Sequence, residues 1–417
     1  MRRIAPCLFS LLTLSTLHPA SAQEWTRFRG PDGTGIGHMT GLKAQLTEAD
    51  YAWSVKLDGV GHSSPVLWGE NLFLTIQTID GTSRRVECYD AASGKKKWAW
   101  EAPVESHHLH KFNTFASSTP TVDADRVYVA WGTGTRTEAV ALDHAGKLVW
   151  KRDWPEFSSD HGFGASPILV EGVLILHTDS VEKKKSYVMG LDPATGKSLW
   201  EVERVTAKPE EKHITAYNTP TAISVEGKTM VVVLQTNDGW KGLDPKTGEV
   251  LWGFDGEYTQ RSVGSIASGG GLVFATFGSG AQGRDAVALR PKAKGDPEVA
   301  YKLGLGDGLG YVPTPLFFEG RLYLMVDSGI LTCLDAATGK SVYRERVGGN
   351  YFASPILADG KIIALSREGE LVMAKPGDTF AILGRSKLGD GASATPAVAR
   401  NRLYVRTDTH LICVAGS

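Results

Sequence analysis

Eight times along this chain a serine or threonine recurs in one local setting, usually followed by proline, and the interval between copies restricts the fold more than any other feature. The series is Ser64-Pro65, Thr119-Pro120, Ser166-Pro167, Thr219-Pro220, Ser265-Ile266, Thr314-Pro315, Ser354-Pro355 and Thr395-Pro396. Neighbours lie roughly 40 to 55 residues apart, the period of β-propeller blades. A second signal, Asp-x-x-(Thr/Ser)-Gly-x-x-x-(Trp/Tyr), follows each of the first by about 25 to 30 residues and has the composition of a turn between two strands. It is clearest from Asp192 to Trp200, recurs at Asp90–Trp98, Asp244–Trp252 and Asp335–Tyr343, and is one residue shorter at Asp143–Trp150. The copies at Arg290–Tyr301 and Ala374–Leu383 are degenerate. Asp bonds the turn backbone and Gly takes positive φ. Between the signals, β-branched and aromatic runs such as Arg126–Trp131 and Arg321–Val326 alternate with Gly-containing turns, which gives about four strands per repeat.

The ends of the chain say how the ring closes. The eighth repeat stops at Ser417 without its turn and last strand, while Tyr51–Leu57 is a Trp-bearing strand with no blade before it. The reading is an all-β, eight-bladed propeller of four-stranded antiparallel blades, in which strand 51–57 completes the C-terminal blade and removes an open sheet edge. The repeat runs without a break, so 51–417 is one domain, preceded by a signal peptide at 1–22 and an extended segment at 23–50 packed along the outside of the propeller.

Met1–Ala22 has the form of a secretory signal: Arg2 and Arg3, an apolar run from Leu8 to Leu17, and Ala20-Ser21-Ala22 as the cleavage site. The run is too short to span a membrane and no Cys follows the site for acylation, so a soluble monomer in the periplasm or medium is expected. Without the leader, 43 basic residues face 46 acidic ones, from 45 and 46 in the whole chain less Arg2 and Arg3. That balance lacks the basic footprint of a nucleic-acid binder. Cys88, Cys333 and Cys413 all stand two residues before the turn Asp or its equivalent, where other repeats have Ala141, Gly190, Gly242, Ala288 and Val372. An odd number at a small buried strand position reads as free core thiols.

Turn motif, strand openings and eightfold count together resemble the PQQ-like β-propeller repeat family, over Tyr51–Ser417. That family includes pyrroloquinoline-quinone (PQQ) dehydrogenases, the BamB assembly lipoprotein and many exported proteins of unknown role. The segment Trp25–Gly35 is similar to the opening of that last group. The resemblance implies that Trp98, Trp150, Trp200 and Trp252 pack between blades. In the dehydrogenases of this family, adjacent cysteines lie against the cofactor, beside a Glu/Asn/Asp calcium site and a catalytic Asp. This chain has no Cys-Cys pair and is shorter by well over a hundred residues. The acylated Cys that anchors the assembly lipoprotein is absent as well.

Loops entering each blade's first strand gather at one mouth of the channel, where small-ligand sites form. Here they carry His62, His107, His108, His110, Phe115, Asp160, His161, Phe163, His213, Tyr217, Arg261, Tyr311 and Tyr351. Imidazoles from His62, His107, His110, His161 and His213 are candidate ligands for a divalent transition metal, with Asp160 to complete the shell. The competing reading is solvated loop side chains, since no fixed ligand spacing is present. Phe115, Phe163, Tyr217, Tyr311 and Tyr351 are candidates for an aromatic ring that stacks on a sugar or planar ligand, or else seals the channel, Tyr311 and Tyr351 being the foremost wall candidates. Asp58, Asp307 and Asp390 beside Gly read as turns before they read as Ca²⁺ ligands.

Three functions follow in order of expectation. The first is a cell-envelope binding or scaffold module that offers its mouth to a protein, a glycan or a small molecule. The second is a quinoprotein-type oxidoreductase with PQQ and Ca²⁺, which needs convergent cations at Arg261. The third is a metal-dependent enzyme acting on carbohydrate through the histidine cluster.

Overall fold

The computed structural model describes residues 24–155, 159, 161–180, 185–204, 215–236, 238–256, 258 and 260–417. The leader 1–22 with its cleavage site, Asp160 and His213 lie outside them.

Eight four-stranded antiparallel sheets form the ring. Blades 1 to 8 begin with the inner strands Val66–Trp68, Thr121–Val122, Ile168–Val170, Thr221–Val225, Ala267–Gly269, Leu316–Phe318, Ile356–Ala358 and Ala397–Ala399. The outer strand of blade 8 is Tyr51–Lys56, paired with His410–Ala415 through Trp53↔Cys413 and Val55↔Leu411. The N-terminal strand thus closes the ring as the chain ends require.

The turn motif docks one blade on the next. The Trp150 ring lies under Gly196 of the following blade, where a Cβ would come within 2.7 Å of it, and its indole N–H donates to Pro193 O at 2.8 Å. Gly196 has φ of +68°, so a side chain there would be strained as well as crowded. Trp98 donates to His144 O and Trp200 to Pro245 O in the same way. Trp53 of the closing strand treats Ala91 O of blade 1 likewise, at 3.2 Å, so the seam between first and last blades is built like those that follow blades 1, 2 and 3, whereas Trp252 donates to Met230 Sδ within its own blade. The small position also acquires a reason. Cys88, Ala141, Gly190, Gly242, Ala288 and Cys333 each stand directly across the sheet from the aromatic of the motif. A Cβ on Gly190 would meet the Trp200 indole at 2.1 Å. The three cysteines are buried and unpaired.

The segment from Glu24 does not run along the outside of the ring. Trp25 exchanges two backbone bonds with Leu67 of blade 1, Thr26 O accepts from Val122 of blade 2, and Gly35 and Gly37 bond Leu357 of blade 7. Between them the buried Arg29 guanidinium donates to Thr314 O, Pro315 O and Pro355 O of blades 6 and 7 at 2.9 to 3.1 Å. Blades 2 and 6 are diametrically opposite in an eightfold ring, so the segment crosses the axis and plugs the channel. Residues after the crossing then fasten to the rim, Leu42 N–H on Asp359 and Leu46 N–H on Ser386. A guanidinium with several donors satisfies several strand-end carbonyls at once, and that makes a buried Arg a suitable stopper.

Candidate functional site

The eight Ser/Thr residues form a belt around the axis. The backbone N–H of six of them donates to the hydroxyl of the next blade: Ser64 to Thr119, Thr119 to Ser166, Thr219 to Ser265, Ser265 to Thr314, Thr314 to Ser354 and Ser354 to Thr395, all at 2.9 to 3.0 Å. A hydroxyl that accepts in this way still has its own proton to donate. The following Pro begins the inner strand and gives up a donor the ladder does not need. The belt therefore links blades and also presents oxygen atoms to the channel.

Above the belt, the loops that precede each inner strand enclose a pocket of about 430 Å³ on the axis, and all eight belt residues line it. Phe28 of the plug lines it too. The plug pairs with residues that follow the belt in each blade, and the loops come before it, so Phe28 closes the pocket from below.

A collar of rings surrounds the opening. Phe352 and Phe112 meet edge to face at 5.4 Å, with the Arg367 guanidinium 4.4 and 4.3 Å from their centroids. Phe112 touches His110 at 5.4 Å, His110 stacks on His161 at 5.0 Å and 19°, and His161 meets Tyr217 at 6.0 Å. Asn113 ties these loops together by donating to His161 O at 2.6 Å. Arg261 closes the sequence, hydrogen-bonded to the Tyr311 hydroxyl. Among the described residues Arg261 pairs with no carboxylate.

Burial sets the charge state of this wall. His62, half-buried in the pocket wall, is pushed down to about 4 by desolvation and by the Arg406 and Arg367 charges, and is neutral at neutral pH. Burial, with Lys111 and Arg261 nearby, also lowers His110. Burial raises the Tyr217 phenol to about 12, although Ser159 bonds it at 3.1 Å. The pocket thus offers imidazoles, phenols and hydroxyls beside the Arg261 guanidinium, with Arg367 at the rim.

Of the sequence-derived candidates, His62, His110, His161, Tyr217, Arg261 and Tyr311 line this pocket. His107, Phe115 and Phe163 do not; they line a small separate cleft against Trp131, where His107 packs on Phe115 at 4.9 Å. Tyr351 is fully buried in the core of blades 6 and 7, and its neighbour Phe352 takes the wall position. Among the described residues no three of His, Cys, Asp or Glu come together as a metal-binding set. His110 and His161 present ring faces to each other instead of aiming nitrogens at one point. Asp58 is held by Arg85 and Lys96, and Asp390 by Thr407 and Thr409. Phe28 and Phe112 were missed. Phe112 could have been found from its place two residues after His110, but Phe28 gives no signal until the path of its segment is known.

PQQ would bring three carboxylates and a calcium ion. The described lining gives Arg261, with Arg367 behind the rim rings, and no acidic cluster for the ion, so these residues do not fit that group.

Comparisons with known proteins agree on the architecture. The family profile described as outer membrane protein assembly factor BamB matches residues 44–223 and 241–379. The chain is 23% identical over 333 residues to quinohemoprotein alcohol dehydrogenase ADH IIB of Pseudomonas putida, covering 74% of this chain and 45% of that protein. It therefore spans less than half the length of that relative. Among solved structures, BamB from Moraxella catarrhalis superposes with a TM-score of 0.63 at 14% identity, over 87% of this chain and 96% of that one. Quinohemoprotein alcohol dehydrogenase from Comamonas testosteroni gives 0.64 at 14% identity, over 94% and 81%. At such identities the structural likeness shows the fold alone.

Proposed function

The chain belongs to the PQQ-like β-propeller family, and from that premise we propose that it is a binding propeller of the cell envelope, whose axial pocket holds a ring-shaped ligand bearing one acidic group. The ligand is a small sugar or aromatic acid, free or at the end of a glycan. The observation that carries this reading is the pocket itself: closed below by Phe28, walled by stacking rings, and furnished with the Arg261 guanidinium, which among the described residues pairs with no carboxylate. Aromatic and imidazole faces suit a planar ring or the apolar face of a pyranose. A carboxylate beside Arg261 gains a charge-assisted bond away from bulk water, and the belt hydroxyls can donate to further oxygens. Export rests on the leader at 1–22, and no described helix is long and apolar enough to cross a membrane.

Isothermal titration of the mature protein with glucuronate, glucose, benzoate and PQQ, the last with and without Ca²⁺, tests the proposal. The acids should bind and glucose should bind more weakly. Arg261→Gln should weaken the acids roughly tenfold or more, the worth of a hydrogen bond to a charged group. Absence of saturable binding by either acid would overturn the reading. Tight PQQ binding that supports alcohol oxidation would replace it with the oxidoreductase.

A further inference from the structure

On the face opposite the mouth, Arg27, Pro31, Asp32 and Thr34 of the plug form one wall of a groove of about 780 Å³. The inner strands of blades 3, 4 and 5 form the other.

The register of the blades says what that second wall offers. Each inner strand runs into a hairpin whose loop is two residues long, as in Val225↔Lys228 around Glu226-Gly227. In such a hairpin the pair next to the loop exchanges hydrogen bonds, so the residue before it turns both its N–H and its C=O away from the partner strand, toward the axis. In blade 7 that residue is Leu357, and its two groups are taken by Gly35 O and Gly37 N–H at 2.8 Å each. In blade 1 it is Leu67, taken by Trp25. In blade 2 it is Val122, whose N–H is taken by Thr26 O. The equivalent residues of blades 3, 4 and 5 are Leu169, Ser224 and Ser268. All three line the groove. Among the described residues their axis-facing groups meet no hydrogen-bond partner. The surrounding side chains are mixed, with Val170, Ile223, Val225 and Pro291 apolar and Glu171, Glu226 and Arg290 charged.

We infer that this groove binds an extended peptide, the tail or exposed strand of a partner protein, by pairing its backbone with Leu169, Ser224 and Ser268. The mode is the one the chain already uses on itself. Consecutive residues Trp25 and Thr26 bond blades 1 and 2, so one extended stretch passing around the axis pairs with one blade after another. Strand addition of this kind draws affinity from main-chain bonds and selects partners through side-chain pockets. The groove continues the interface made by residues 25–37, on the blades that those residues do not pair with.

The test uses the mature protein and a fluorescein-labelled hexapeptide of alternating valine and threonine, read by fluorescence anisotropy. Saturable binding is expected. N-methylation of alternate peptide amides should weaken it roughly tenfold, as should Ser224→Pro, which removes an outward N–H and leaves the ladder to Thr229 and Met230 intact. Ser224→Ala keeps the main chain and should bind as the parent does. An unchanged thermal midpoint for Ser224→Pro shows that the fold survives. Equal binding of the N-methylated peptide, full binding by a folded Ser224→Pro protein, or no binding at millimolar peptide would each overturn the inference. So would a concentration-dependent dimer abolished by Ser224→Pro, since a second copy would then be the occupant.

Discussion

The two halves of the plugged face are built from the same repeat in the same register, yet they differ in what is left exposed. Inner strands Ile356–Ala358 and Ala397–Ala399 are buried along their whole length. In Thr221–Val225 only Thr221 is buried, Ala222, Ile223 and Val225 are partly covered, and Ser224 is exposed. The difference lies outside the repeat, in the segment that fastens across blades 1, 2, 6 and 7 and then along the rim. A propeller manufactures eight equivalent strand edges at its axis, and a short extension decides which of them remain available. Sheet edges are normally guarded against unwanted pairing, and here the guarding is partial.

Removing the stopper should break that contrast most forcibly. Arg29→Ala strands the Thr314, Pro315 and Pro355 carbonyls in a buried site and opens a cavity, at an expected cost on the order of 4 kcal/mol. Urea unfolding measures it. A loss below about 1 kcal/mol would mean that the covered half is stable without its cover.

The belt should be indifferent to the contrast. Ser354→Ala, on the covered half, leaves the Thr314 N–H without its acceptor, and Ser265→Ala, on the open half, does the same to Thr219. Each should cost about 1 to 2 kcal/mol, the penalty of a buried unpaired donor. Ser64→Ala is the control, because the Ser64 hydroxyl is buried without a partner, and its cost should stay within about 0.5 kcal/mol. Unequal costs for Ser354 and Ser265 would show that the plug strains the belt.

The smallest effects belong to the mouth and depend on pH. His62 falls from 6.5 to about 4 on folding, so as pH drops through that window the unfolded chain takes a proton that the native state refuses, and stability falls. Asp327 is buried, accepts the Tyr311 N–H at 2.6 Å, and rises from 3.8 to about 6. Its contribution is present at low pH and is lost as pH rises toward 6. The two oppose each other between about pH 4 and 6. Asp327→Asn should leave stability climbing with pH across that interval, and His62→Gln should leave it falling. Denaturant midpoints at half-unit pH steps would settle both, and a flat profile in either variant would refute the assignment.

Fold and site were not equally legible. Spacing and turn chemistry exposed the blades, because every copy must satisfy the same backbone geometry, and even the degenerate turns after Arg290 and Ala374 still lead into strands Glu298–Leu303 and Ile382–Lys387. The closing strand was legible for the same reason: a missing strand at one end and a surplus one at the other. Loops obey no such period. Whether Tyr351 or Phe352 reaches the pocket depends on one residue of phase, and that phase is set by Tyr351 N–H bonding Asp327 O, a contact invisible in composition. The path of Trp25–Gly37 depends on partners 40 to more than 300 residues away, which local sequence does not encode.

The ring is fastened by residues from opposite ends of the chain, with Trp53 beside Cys413. A polypeptide emerging from its N-terminus makes Trp53 early, yet that strand has no sheet to join until the last dozen residues appear. The plug waits as well, since Arg29 bonds Pro355 and Gly37 bonds Leu357. Contacts that span nearly the whole length are slow to find because a long loop must close first. Middle blades can assemble while synthesis is still under way, but the closing strand and the plug need the end of the chain before they can settle, and until then a Trp-bearing β-strand is open to whatever chaperone or neighbouring chain meets it.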